Sequence, residues 1–175
     1  MARVPFVNRE ALDAEGQEIY DRIRKDRNAP EVGQQFRALL HSQKAAGYLA
    51  SMGAQLRYRS ILPENLKEFA IVIVAREWNS DIEWTAHAAL AAKAGVSAAS
   101  LEAVRTGGTS MPLSTLTAEE QLMRRFALQL LRDKKLDDDT FSAAQKLLGT
   151  RGVTDLTLTC SYYTAINMAQ VALKP

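Results

Sequence analysis

The chain has 175 residues, enough for one domain or for one domain with an extra helical arm. With 47% apolar and 24% charged residues it has the balance of a soluble globular protein with a real core. A net charge of +2 is not the footprint of a protein built to grip a phosphate backbone, and a single cysteine, Cys160, excludes any disulfide or CxxC redox pair within the chain.

Helical periodicity dominates the pattern, and Gly and Pro fall mostly between periodic segments. The opening MARVPFVNRE lacks the apolar stretch of a signal peptide. A first amphipathic helix is predicted from about Arg9 to Lys25, followed by a loop from Asn28 to Gly33. Phe36, Leu39, Leu40, Leu49, Met52, Gly53 and Leu56 fit one face of a long helix ending near Arg59. Pro63 suits the first turn of the next helix, which ends near Asn79. Its middle, Phe69 to Ala75, is apolar on every side and predicts a central position in the fold. That run is the longest of its kind and falls short of the roughly 20 residues of a membrane helix, so a soluble, cytoplasmic protein is expected.

Ser80 opens an alanine-rich helix that stops at Gly95, and Ser97 caps a short one to about Arg105. Thr106 to Thr115 reads as a loop. Thr117 with Glu120 forms a capping-box pattern for a helix to about Lys134. Asp137 to Leu148 is a further helix, and after Gly149 to Gly152 a long, mostly buried helix runs from Val153 to Leu173. The expectation is an all-α bundle of seven or eight helices. It is read as one domain over residues 1–175, with 1–60 as an N-terminal helical extension.

Residues four apart lie on one helix face, so Glu83 and His87 project side by side. Their face continues through Leu90, Ala91 and Ala94, which predicts that both look inward. On the preceding helix Glu68 shares its face with Ile71, Val72 and Ala75. A carboxylate in apolar surroundings is expensive unless it is paired or protonated. Two carboxylates and an imidazole on adjacent central helices are what a general acid/base site needs. Each also has a plainer reading. Glu83 completes Ser80-x-x-Glu83, a helix cap, His87 suits a hydrogen-bonded core histidine, and Glu68 an acid favoured near a helix start.

The segment Leu62-Pro-Glu-Asn-Leu-Lys-Glu-Phe-Ala-Ile-Val-Ile-Val-Ala75, followed by Glu83-Trp-Thr-Ala-His87 and Ala94-Gly-Val-Ser97, resembles the carboxymuconolactone decarboxylase family. That family includes the alkylhydroperoxidase D-like proteins. The resemblance is close from about Ser60 to Arg105 and looser through Thr117 to Leu148 and Tyr162 to Ala165. It implies an alkylhydroperoxidase D-like bundle, a homo-oligomer, and a cofactor-free site at Glu68, Glu83 and His87. In the peroxidase branch a CxxC pair precedes the site histidine by seven and four residues; here Ser80 and Glu83 stand at those positions, and neither forms a thiolate.

The non-CxxC pattern implies decarboxylation of a small lactone bearing a carboxylate. His87 would move the proton, Glu83 would orient the imidazole, and Glu68 would be a second acid/base group. Arg76, Arg57 or Arg59 is a candidate for the substrate carboxylate, against a plain salt bridge for each. Three other readings stay open. Leu90 to Arg105 superficially reads as a helix-turn-helix, although its second helix presents only Arg105 as a basic residue. His87 with Glu68 and Glu83 would suit an oxygen-preferring metal, while a zinc enzyme would want more than His41 and His87. The last is a non-catalytic oligomeric protein that binds a small molecule.

Overall fold

The computed structural model describes residues 2–174. Among these residues every regular element is helical and no strand is present, as the periodicity predicts. No helix among them is long and apolar enough to cross a membrane. The chain forms two compact units, one from residues 2–60 with 165–174 and the other Ile61–Thr164.

In the first unit a 3₁₀ turn, Arg9–Ala11, leads into α1, Ala14–Asp26. Asp13 caps α1 by accepting from the Gly16 N–H at 2.8 Å. α1 buries Ile19, Tyr20 and Ile23 and packs on α3, Gln43–Tyr58. The helices approach closely at Gly47, where a Cβ would meet Ile19 Cγ2 at 3.1 Å. The single helix expected from Phe36 to Arg59 is broken here. α2 covers Gln34–Leu39, a 3₁₀ turn covers Leu40–Ser42, and Ser42 leaves helical geometry at φ −118°, ψ 77°. The break re-aims α3, so that Ala46, Gly47, Ala50, Gly53 and Ala54 face inward while Leu49 and Met52 are only half-buried.

In Ile61–Thr164, α4 (Glu64–Glu77) is the central element, and every residue from Leu66 to Ala75 is buried. It packs against α5 (Asp81–Lys93), α6 (Ala98–Thr106) and α7 (Ala118–Leu128). Burying each Val, Ile or Phe of α4 contributes about 1.5–3 kcal/mol, which makes this helix the anchor of the unit. The capping box at Thr117 and Glu120 forms as predicted. Glu120 does more than cap, because its Oε2 also accepts from the buried Ser100 hydroxyl at 2.9 Å and ties α7 to α6. After α7 the residues Gln129–Asp133 widen into a π-helical turn, which Lys134 ends in the left-handed region at φ 56°.

The last element, α8, Asp138–Leu173, is interrupted only at Gly149, with φ 72° and ψ 172°. The loop expected over Gly149 to Gly152 is therefore a single residue. Gly152 already lies in the second half of α8, where a Cβ would sit 2.7 Å from Leu148 Cβ. Only a residue without a side chain lets the two halves meet so tightly.

Candidate acid/base site

α4 and α5 form a helical hairpin with a three-residue connection, Trp78 to Ser80. Asn79 takes the left-handed conformation at φ 49°, and the Ser80 N–H donates to the Ala75 carbonyl at 2.9 Å. This terminates α4 as an αL cap, a geometry that Asn tolerates better than most non-glycine residues. The Ser80 hydroxyl then starts α5 by accepting from the Glu83 N–H at 3.3 Å. At about 1.5 Å per residue, Glu68 lies roughly 16 Å before Asn79 and His87 roughly 12 Å after it, so the hairpin brings them face to face.

The structure brings Glu68, Glu83 and His87 together. His87 Nδ1 lies 2.6 Å from Glu68 Oε2, and its Nε2 lies 3.5 Å from Glu83 Oε2. All three are buried, with residue exposures of 2%, 5% and 3% for Glu68, Glu83 and His87. α5 turns a narrow stripe inward, Glu83, His87 and Ala91. Leu90, expected to share that face, is instead exposed, as are Ile82, Ala86 and Ala89. The alanine-rich side of α5 faces outward rather than onto another helix.

Sequence reasoning missed one contact to the imidazole. The buried Tyr163 ring meets the His87 ring edge-on, with centroids 4.8 Å apart and an interplanar angle of 82°. Tyr162 packs on Tyr163 in the same manner at 5.1 Å. The only local signal was a tyrosine doublet in an apolar helix, far along the chain from His87. The contact places the Tyr163 ring edge against the imidazole within the same buried cluster.

The arrangement constrains where protons can sit. With Glu68 ionised, Nδ1 carries a proton and donates to it, a charge-assisted bond of the stronger kind. A second proton can sit on Nε2, making an imidazolium between two carboxylates, or on Glu83 beside a neutral imidazole. Both arrangements carry the same net charge of minus one, so a proton moved between Nε2 and Glu83, 3.5 Å apart, would leave the charge held in the apolar interior unaltered. That is the property a buried proton shuttle needs.

The other candidate residues lie elsewhere. Arg76 binds the Arg105 carbonyl and Asn79 Oδ1, each at 2.7 Å, at the far end of α4. Arg57 and Arg59 belong to the first unit, where the Arg57 guanidinium sits 5.4 Å from the Tyr58 ring centroid. His41 Nε2 is 2.9 Å from the Pro5 carbonyl, also in that unit. Burial pushes the Cys160 thiol up to about 12, so it stays protonated and unreactive. Ser100, in the helix expected to read DNA under the helix-turn-helix alternative, is buried, and Arg105 is taken up by Glu102 at 2.9 Å. Three surface cavities of the Ile61–Thr164 unit, of about 230, 310 and 700 Å³, are lined by residues other than Glu68, Glu83 and His87.

No family model matches the chain, and no curated protein matches it at a significant level.

Proposed function

We propose that the chain is a cofactor-free acid/base enzyme of the carboxymuconolactone decarboxylase type, acting in the cytoplasm on a small lactone or organic acid. The observation that carries this reading is the imidazole of His87 held between two buried carboxylates. The motif Leu62 to Ala75, Glu83-Trp-Thr-Ala-His87 and Ala94 to Ser97 supports the choice of family. Two carboxylates around one histidine exceed what a structural histidine requires, because each buried carboxylate carries its own desolvation cost.

In the proposed reaction the bond between the substrate carboxylate and the ring carbon breaks and carbon dioxide leaves. In an unsaturated lactone the electron pair of that bond passes through the ring C=C into the lactone carbonyl, giving a dienolate. A proton that Glu83 has passed to His87 Nε2 then quenches it at carbon, and solvent resupplies the one proton that each turnover consumes. Glu68 holds the ring and its charge throughout. The exposed apolar stripe of α5, with Ile82 and Leu90, supports the homo-oligomer that the resemblance implies, since such a stripe is ordinarily covered in an assembly.

The near-complete burial of the three side chains favours a second reading, a non-catalytic oligomeric binding protein that keeps the triad as a structural network. Carbon dioxide release from a panel of carboxylated γ-lactones, without added metal or cofactor, distinguishes the two. Wild type should turn over at least one member, and His87→Gln and Glu83→Gln should each lose at least a hundredfold in kcat. Equal turnover by His87→Gln overturns the enzyme reading, and a folded wild type inert on the whole panel supports the second.

A further inference from the structure

The Ile61–Thr164 unit holds a second concentration of charge away from the histidine. Arg76 from α4, Arg124 from α7 and Arg132 from the π-helical turn converge on the cavity of about 230 Å³. Glu77 is the carboxylate on its wall, and it is fully engaged by Arg132 through two short bonds of 2.5 and 2.6 Å. Arg76 is fixed by two neutral acceptors, which leaves its remaining N–H groups available. Arg124 has neither a hydrogen bond nor an ion pair among the described residues. Three guanidinium groups and one carboxylate line this cavity; Asp133 also acts on Arg132 and Asp81 lies with Arg76 on an adjoining cavity, so the excess of positive charge centres on Arg124.

Such an arrangement opposes stability unless something else balances it. Burial lowers Arg124 from the ordinary arginine range, the neighbouring charge of Arg132 lowers it further, and Glu77 only partly offsets them. Ile73, Val104 and Leu128 form the apolar part of the remaining wall, beside Gly107 and Asn79. At about 30 Å³ per water, the cavity holds the volume of roughly eight waters, room for a head group and part of a short apolar body whose remainder faces solvent.

We propose that this cavity binds a small organic oxyanion, a carboxylate or phosphate ester with a short apolar body, whose head group is taken by Arg124 and Arg132 with Arg76 beside them. The planar fork of a guanidinium matches both head groups in a bidentate manner, and the apolar walls account for the body. The cavity shares no lining residue with the histidine site, so the proposal stands whichever reading of that site holds.

Thermal unfolding of the full chain, at constant ionic strength set with sodium chloride, tests it with benzoate and phenyl phosphate as probes. A ligand that binds only the folded state raises the melting temperature with its concentration. At least one probe should raise it above the chloride control, and the relative response assigns the head group. Arg124→Gln should weaken binding at least tenfold, whereas Arg151→Gln, an exposed charge of the same unit, should leave it unchanged. In the absence of probe Arg124→Gln should melt at or above wild type, since it removes repulsion and breaks no bond. No response by wild type to either probe, an equal response by Arg124→Gln, or a lowered melting temperature for probe-free Arg124→Gln overturns the proposal.

Discussion

The contact between His87 and Glu68 can be weighed by a double-mutant cycle. Each side chain is nearly sealed from solvent, and the two atoms lie 2.6 Å apart. For opposite charges about 4 Å apart at an effective dielectric near 20, the attraction is about 4 kcal/mol. Truncating one partner of a buried pair typically costs about 3–5 kcal/mol, because the other is left desolvated and alone. His87→Ala strands both carboxylates, and Glu68→Ala leaves the imidazole with Glu83 at the longer distance of 3.5 Å. Each single change should therefore destabilise by about 3 kcal/mol or more. The double variant should fall short of their sum by about 2 kcal/mol, within the range seen for side chains in direct contact. The cavity left by the imidazole is present both in His87→Ala and in the double variant, so the cycle removes it. Urea unfolding followed by tryptophan fluorescence suits the measurement, since Trp78 and Trp84 lie in the same unit as the pair. A coupling below about 0.5 kcal/mol, the worth of an exposed ion pair, would refute the reasoning.

Two further predictions concern α8. Cys160 binds its proton more tightly when folded, with its value raised from 9.0 to about 12 by burial. Unfolded chain thus loses this proton from about pH 9 upward while the folded chain keeps it to about pH 12. Stability should fall by about 1.4 kcal/mol per pH unit in that window from this thiol, and Cys160→Ala should flatten the slope. Gly149→Ala should destabilise by about 1–3 kcal/mol in urea, although a Cβ there meets no atom within 4 Å. The cost is entirely in the backbone, so Gly149→Asn should be no better; wild-type stability for either variant would mean that the kink is not needed.

Much of this molecule is legible in short segments of sequence, because helices and their ends are set by neighbours only a few residues away. Ser97 and Thr117 place their caps as read, and Gly95 ends its helix in the left-handed region at φ 102°. The continuous apolar run of α4 announces a helix buried on every side. The spacing of four between Glu83 and His87 alone puts them on one stripe. Where periodicity misled, a local break outweighed it. The 3₁₀ turn Leu40–Ser42 splits what reads as one amphipathic face, and Leu90 looks like a core residue by spacing but lies on the rim of a narrow buried stripe.

What joins separate helices is decided only by tertiary structure. That Glu68 reaches Nδ1 rather than Nε2 depends on the angle and length of the α4–α5 hairpin, which Asn79 and Ser80 set. Tyr163 meets His87 only because the second half of α8 leaves Gly149 in the required direction. Arg124 and Arg132 carry no signal in the sequence, and Arg76 is read there only as one of three candidates for a substrate carboxylate. Their convergence around one already engaged carboxylate follows from the packing of α4 on α7 and from the extra width of the π-helical turn. Local periodicity carries the rotation of a side chain about its own helix axis; it holds no information on the distance between two axes, and both charged sites of this protein are matters of that distance.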